Sequence, residues 1–314
     1  MNQTTAHHGR GIGVLAAVMT LVGWSSVPLF IKYFSESIDA WTSNGWRYGF
    51  SALIWLPVAL LGISRGTLPR SVWRAALIPA FFNSAGQICF TLSFYLLDPA
   101  LVTFALRIQI VFVTIGAAML FPQERRIIRS PMYLVGLAVL MIGTMATVSL
   151  DETFGEKSST LGVVLACASG AFFAGYGLAV RTCMKGVRAI PAFAVISQYT
   201  AGVMLLLMLI LGDGMGSGAV TALDAEQFFW LLASAIIGIA LGHVFYYIAI
   251  ERLGVAPTAG LIQLQPFCVG AAESMLPYFK RSLTIWQWVS GAVAVSGAGI
   301  VLRVQHIMTR KRDR

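Results

Sequence analysis

The chain has 314 residues, of which 57% are hydrophobic and only 11% charged, against about a quarter charged in soluble domains. A net charge of +9 would point to nucleic acid in a soluble protein, but apolar runs long enough to cross a hydrocarbon core of about 30 Å recur along the whole length. A soluble fold and a nucleic-acid partner are both excluded, and in lipid such runs must be helices, because a helix satisfies its own backbone.

The first predicted span, 11–33, follows a short polar start, Met1 to Arg10. No small-residue cleavage pattern follows it, so it reads as a retained helix and not as a signal peptide. It carries Trp24, Ser25 and Pro28. The second span, 40–63, carries Arg47 and Pro57; the third, 72–97, carries Pro79, Asn83 and Gln87; the fourth, 99–121, carries Arg107 and Gln109. The fifth, 131–150, is rich in small residues, including Gly136 and Gly143. Tyr176 lies on the sixth, 160–184, and Gln198 on the seventh, 190–212. The eighth, 226–250, holds His243, Tyr246 and Tyr247, and the ninth, 254–279, holds Pro257, Gln263, Gln265, Pro266 and Glu273. The tenth, 283–304, again carries glycines, Gly291, Gly297 and Gly299. The expected fold is therefore all-α and integral to the membrane, with ten spans.

Charge in the connecting segments sets the expected orientation. With the N-terminus inside, sixteen of the 22 basic residues fall on the inner side, among them Arg65, Arg70, Arg125, Arg126, Arg181, Arg252 and the tail Arg310, Lys311, Arg312 and Arg314. Lys32, Lys157, Lys280 and Arg281 fall outside, the adjacent pair Lys280 and Arg281 being the clear exception. Basic loops stay in the cytoplasm, so both termini are expected to be cytoplasmic in the inner, or plasma, membrane. The basic tail most simply holds the last helix at the anionic inner leaflet.

Five spans per half is an odd number, so a duplicated half would enter the membrane the other way up. A shift of 156 residues aligns Gly86–Phe121 with Gly242–Pro277 without a gap, pairing Gly86 with Gly242, Leu97 with Leu253, Ala100 with Ala256 and Gln109 with Gln265. Near the start of each half a shift of about 149 to 151 lines up Gly13-Val14-Leu15-Ala16 with Gly162-Val163-Val164-Leu165, and Arg47-Tyr48 with Gln198-Tyr199. The two units are expected at 1–150 and 151–314, joined through the polar run Asp151 to Lys157. Inverted repeats of this kind place a substrate site between the halves near the midplane, where exchanging their conformations gives alternating access.

This pattern resembles the drug/metabolite transporter superfamily, and within it the EamA-type family of ten-helix carriers built from two copies of one five-helix unit. The likeness rests on Gly23-Trp24-Ser25-Ser26 in the first span, the arginine-led run Trp46-Arg47-Tyr48-Gly49-Phe50 in the second, Leu264-Gln265-Pro266-Phe267 in the ninth and Phe121-Pro122-Gln123-Glu124-Arg125 at the end of the fourth. Two positions depart from the pattern: Ile110 stands where the first half often has proline, and Lys280 where the second half often has glutamate. The resemblance implies export, or in some members uptake, of amino acids, related metabolites or drugs, with spans one to four and six to nine lining the path.

Ionisable groups inside a membrane cost about 2.5 to 3.5 kcal/mol at its centre and tend to face a cavity or a partner. Arg47, Arg107 and Glu273 all fall about 10 Å below the expected outer ends of their helices at 1.5 Å per residue. Two readings stand side by side. Glu273 pairs with the arginines as an outer gate, or the arginines bind a substrate carboxylate; alternatively the side chains snorkel to the headgroups. His243 is the histidine placed to carry a coupling proton, or it simply hydrogen-bonds within the bundle. Asn83, Gln87, Gln109, Gln198, Gln263 and Gln265, with Ser25, Trp24, Tyr176, Tyr246 and Tyr247, are the candidates for a polar and aromatic substrate path, with interhelical hydrogen bonding as the alternative. Pro266 frees a carbonyl one turn earlier, and Pro28, Pro57, Pro79 and Pro257 are further candidate hinges.

Other chemistries find little to stand on. Cys89, Cys167, Cys183 and Cys268 lie in or at the ends of apolar runs without CxxC or Cys/His spacing, so neither a disulfide nor a metal site is expected. No His-Glu-x-x-His run, Gly-x-Ser-x-Gly elbow or glycine-rich nucleotide loop is present, and no repeated filter motif marks a channel. The expectation is a carrier, not an enzyme, that needs no cofactor and has as partners a small-molecule solute and the bilayer, with protons as the candidate coupling ion. It would act as a monomer or as a homodimer through the fifth and tenth spans.

Overall fold

The structure is a computed structural model that describes residues 3–122, 125–153, 155–253, 255–279 and 283–312. Expectations resting on Gln123, Glu124, Phe154, Lys280, Arg281, Asp313 and Arg314 lie outside the described residues. Among the described residues every regular element is helical. The first span is α1 (Gln3–Phe34) and the second α2 (Ala40–Ser64). The third is the short α3 (Arg70–Ala75) running into α4 (Leu77–Phe94), and the fourth is α5 (Pro99–Ala105) followed, after a 3-10 turn, by α6 (Gln109–Leu120). A single turn, α7 (Arg125–Ile128), precedes α8 (Pro131–Ser149). The second half begins with α9 (Lys157–Cys183) and α10 (Ala189–Leu211), followed by the short α11 (Gly218–Ala222). Then come α12 (Ala225–Ser234) and α13 (Gly242–Leu253), joined by a π-helical segment, Ala235–Leu241. The last elements are α14 (Val255–Ile262), α15 (Gln265–Met275) and α16 (Ile285–Arg312).

Nine spans among the described residues are long and apolar enough to cross a membrane. The predicted ninth, 254–279, is not one of them, because it is realised as two short helices of 8 and 11 residues. Pro266 lies at the start of the second, and its missing N–H leaves the carbonyl of Ile262 without its helical donor. The first half breaks at the equivalent place: Leu106–Ile108 forms a 3-10 turn between α5 and α6, which the 156-residue shift lays on 262–264. Ile110 occupies the position of Pro266 there, so proline is not the cause. Within the turn Arg107 Nε donates to the carbonyl of Thr103, 3.1 Å away. Pro28 and Pro57, by contrast, sit inside continuous helices.

The helix pairs in closest contact are α8 with α16, α4 with α9, α2 with α10, α1 with α13 and α6 with α9. Each pair joins one half to the other, and exchanging the halves turns α1 with α13 into α9 with α4 and leaves α2 with α10 and α8 with α16 unchanged, as a pseudo-two-fold axis requires. Glycines allow the tightest approaches. A Cβ on Gly143 would lie 2.3 Å from the backbone nitrogen of Ala294, and one on Gly297 2.3 Å from that of Leu140. The small-residue faces of α8 and α16 are thus used within the chain. Large apolar residues such as Leu53, Phe81, Met119, Ile142 and Ile210 point outward, each more than half exposed, which in lipid is the solvated surface.

The start of α2 is fixed by Asp39, whose carboxylate accepts from the backbone N–H groups of Trp41 and Thr42, both 2.9 Å, and from the Thr42 hydroxyl. It also accepts from Asp213 N, 3.0 Å away beyond the end of α10, so one acid caps a first-half helix and ties it to the second half. Burial alone would raise its pKa, but the bonds from Thr42, Asp213 and Trp41 outweigh burial and hold it below the usual 3.8. A depressed folded-state pKa means that this contribution to stability is fully present above the unfolded value and is lost as pH falls through the folded one. Asp39→Ala is expected to cost about 1 kcal/mol, the usual worth of an N-cap, measured as a lower unfolding temperature in detergent at pH 7. That deficit should shrink as pH falls below the usual aspartate value of 3.8.

Candidate substrate path

The predicted site residues fall into three groups along the space between the halves. At the Asp39 end, Arg47 is 2% exposed. Its Nε donates to Ser234 Oγ of α12 at 2.9 Å, while its Nη2 has no partner. Beside it Asn44 Oδ1 accepts from Thr91 of α4 at 2.8 Å. Glu273 is also buried, but its carboxylate accepts from the backbone N–H of Ala100 at 2.9 Å, in the first turn of α5. The expected pairing of Glu273 with the arginines is replaced here by this cap, which suits an acid to a helix N-terminus. Equal depth placed the three residues in one layer, whereas helix azimuth, which depth does not report, directs them to different neighbours. Glu273→Ala should strand the Ala100 N–H and cost about 1 to 3 kcal/mol, whereas Glu273→Gln keeps an acceptor and should cost much less; unfolding temperatures of the two variants decide this.

The middle group is a network that sequence depth alone did not reveal. Arg107 Nη2 donates to Gln265 Oε1 at 2.7 Å, and Nη1 lies 3.4 Å from Gln263 Oε1 and 3.5 Å from the carbonyl of Ile262. That carbonyl is the one Pro266 frees. Gln265 Nε2 in turn donates to the carbonyl of Trp24 at 2.7 Å, which is the one Pro28 frees four residues earlier. Two proline-released carbonyls, on α1 and α14, are thus bound by one Arg–Gln pair, and the signal for it was available by counting back four from each proline. Arg107 is neither snorkelling nor free.

The third group is aromatic. Trp24 meets Tyr246 at 4.9 Å and His243 at 5.5 Å between ring centroids, and His243 stacks on Phe193 at 4.3 Å. The Nδ1 of His243 bonds the carbonyl of Ile239 at 2.9 Å, within the π-helical segment. Tyr176 lies beside Tyr247, and Trp55 closes the cluster edge-on to Phe193 at 5.4 Å. Of the remaining candidates, Asn83 donates to Thr200 at 3.0 Å and Gln198 to the carbonyl of Ala52 at 3.0 Å, both cross-half bonds to α10 or α2. Gln87 and Gln109 are half-buried, and Ser25 is buried with its hydroxyl unpartnered. Trp55, Phe193 and Ser234 were not anticipated; they are apolar or small residues whose role shows only once helices from both halves meet. Among the described residues no group of three or more His, Cys, Asp or Glu could hold a metal.

Two-fold pairing of helices, paired breaks and a polar and aromatic interior are matched by what the chain is similar to. The model of the EamA-like transporter family matches residues 11–149 and again 160–303. The chain belongs to the EamA-like transporter family. It is thereby a membrane transporter of the drug/metabolite transporter superfamily, with a small-molecule substrate and the bilayer as its partners. A solved structure described only as "Crystal structure of protein" shares the fold of this transporter, with a TM-score of 0.63 at 16% identity over 96% of this chain and 99% of the other. No curated protein matches.

Proposed function

We propose that this EamA-like transporter is a secondary, alternating-access carrier that exports small organic metabolites, such as amino acids or related compounds, across the inner membrane. The observation that carries this reading is the pair of helix breaks at 106–108 and 262–264, related by the 156-residue shift and facing each other through Arg107, Gln263 and Gln265. Discontinuous helices at a repeat interface are where carriers of this general kind bind their solutes. In this reading α14 and α15 together form a tenth crossing, since their 19 residues span about 29 Å at 1.5 Å per residue. The units at 1–150 and 151–314 are then inverted copies, with both termini cytoplasmic as the basic loops require. Protons are the proposed coupling ion, with His243 and Glu273 as the groups that would carry them.

Counterflow in proteoliposomes tests the carrier reading. Vesicles preloaded with unlabelled amino acids should take up a labelled one in a saturable overshoot that leakage through a channel cannot produce. If the same vesicles respond to an imposed pH gradient, and Glu273→Gln and His243→Gln reduce the response by at least about tenfold, which corresponds to roughly 1.4 kcal/mol, the coupling is to protons. A gradient response that both variants retain would remove these two residues from it.

A further inference from the structure

The two buried arginines are not equivalent, and their difference assigns them different tasks. Arg107 is filled: the carbonyls of Thr103 and Ile262 and the side-chain oxygens of Gln263 and Gln265 surround its guanidinium. Arg47 is more deeply buried, at 2% exposure against 7%, yet its guanidinium donates to a neutral hydroxyl, Ser234, which is itself donating to the carbonyl of Leu231. The titratable groups that face it are the phenols of Tyr48 and Tyr95, not acids. Asp39, two turns along the same helix, spends its carboxylate on Trp41, Thr42 and Asp213, and Glu273 spends its own on Ala100. A guanidinium carried this far from water without an anion is a costly arrangement.

The open atoms around it share one face of α2. Asn44 Nδ2, Arg47 Nη2, Ser51 Oγ and Trp55 Nε1 are all buried and all lack a partner, and their spacing of three, four and four residues aligns them along the helix. Three of the four are donors only, and a serine hydroxyl can donate too. A row of buried donors centred on a cation lacks acceptors and negative charge. The planar fork of a guanidinium matches a carboxylate best.

We infer that Arg47 is the substrate-binding arginine of this carrier and that the solute it carries bears a single carboxylate, received by Arg47 with Asn44 and Ser51 beside it, while Arg107 is a positioning residue that holds the helix break. This rests on the carrier reading given above. One acid group is specified because only one of the two guanidiniums has donors to spare.

Thermal unfolding of the purified full-length protein in detergent provides the test, with each probe acid set against its own amide: the amino acids, phenylacetate and hexanoate, plus inorganic phosphate as a non-planar anion. At least one carboxylate should raise the unfolding temperature saturably, and its amide should require a tenfold or higher concentration for the same shift. Arg47→Gln should raise the half-saturating concentration tenfold or more, with Arg47→Lys recovering part of the loss. Should Arg47→Gln not fold, Ser51→Val is the second variant, expected to weaken the acid and leave any response to the amide unchanged. Equal responses to acid and amide, phosphate acting in place of the carboxylates, an unchanged half-saturation in the variants, or no response to any acid would each overturn the inference. Counterflow separates this failure from that of the carrier: saturable exchange that ignores the acid leaves the carrier reading standing, and absent exchange removes it.

Discussion

Arg107→Met is expected to lower stability by about 3 kcal/mol and to reduce counterflow at least tenfold, the largest effect of any single polar substitution between the halves. The substitution keeps most of the side-chain volume but removes every donor to Ile262, Gln263 and Gln265. A buried acceptor left without a donor costs about 1 to 3 kcal/mol, and the Ile262 carbonyl has no helical donor to fall back on, because residue 266 is a proline. That dependence makes a sharper test possible. Pro266→Ala alone restores a potential N–H for Ile262 and should be mild in stability, but it lets α14 and α15 join into one straighter helix. In the double variant the restored N–H should recover part of what Arg107→Met loses, so the two effects are non-additive by 1 kcal/mol or more, as expected of residues sharing one network. Transport should not recover with stability, since the break itself is lost. Additive effects on the unfolding temperature would show that Arg107 does not act through the proline-freed carbonyl. Arg107→Lys is no conservative replacement here, because a single ammonium cannot span acceptors on both sides of the break as a guanidinium fork does.

How much of this was legible in the sequence depends on which physical variable carried the information. Hydropathy is summed over a helix and survives ignorance of its orientation, so nine spans stood where apolar length placed them. The ninth predicted span shows the limit of that variable, since hydropathy does not register the missing N–H of Pro266, at which the span divides into two short helices. Ile110 shows a second limit: the first-half break lies at the position the repeat predicts, yet no proline stands there. Arg47, Arg107 and Glu273, singled out as charges within apolar runs, are all buried, and that much was legible. Their partners were not, because partner choice depends on helix rotation and on the facing helix, and the residues that decide it, Ser234 and Ala100, are too small and ordinary to attract notice in a sequence. Trp24 is the converse case. Its ring was anticipated as part of an aromatic path, while its backbone carbonyl, released by Pro28 and bound by Gln265, ties α1 to the break.

Gly143→Ala and Gly297→Ala should each destabilise the protein by about 3 kcal/mol or prevent its folding, although each adds one methyl group to a helix and alanine is the better helix former by roughly 1 kcal/mol. The sign is decided by what the methyl would meet. At Gly143 the new Cβ would lie 2.3 Å from the nitrogen and 2.7 Å from the Cα of Ala294, and at Gly297 it would lie 2.3 Å from the nitrogen of Leu140 and 2.7 Å from the carbonyl oxygen of Gly136. These are backbone atoms of the opposing helix, so no rotamer change can relieve the contact and α8 and α16 would have to separate along their length. Overpacking that side chains can absorb costs typically 1 to 3 kcal/mol, and rigid backbone places these two at or above the top of that range. Gly299 lies on the same helix as Gly297, and a Cβ there meets nothing within 4 Å, so Gly299→Ala should be neutral or raise stability slightly. Unfolding temperatures of the three variants in one detergent give the comparison. If Gly143→Ala and Gly297→Ala unfold with Gly299→Ala, then α8 and α16 are not locked by backbone contact, and their small-residue faces are free to pair with a second copy of the chain instead. If they unfold far below it, the flanking helices of the two halves form a fixed post, and whatever motion accompanies transport must take place between the other helix pairs, around the breaks that Arg107 holds.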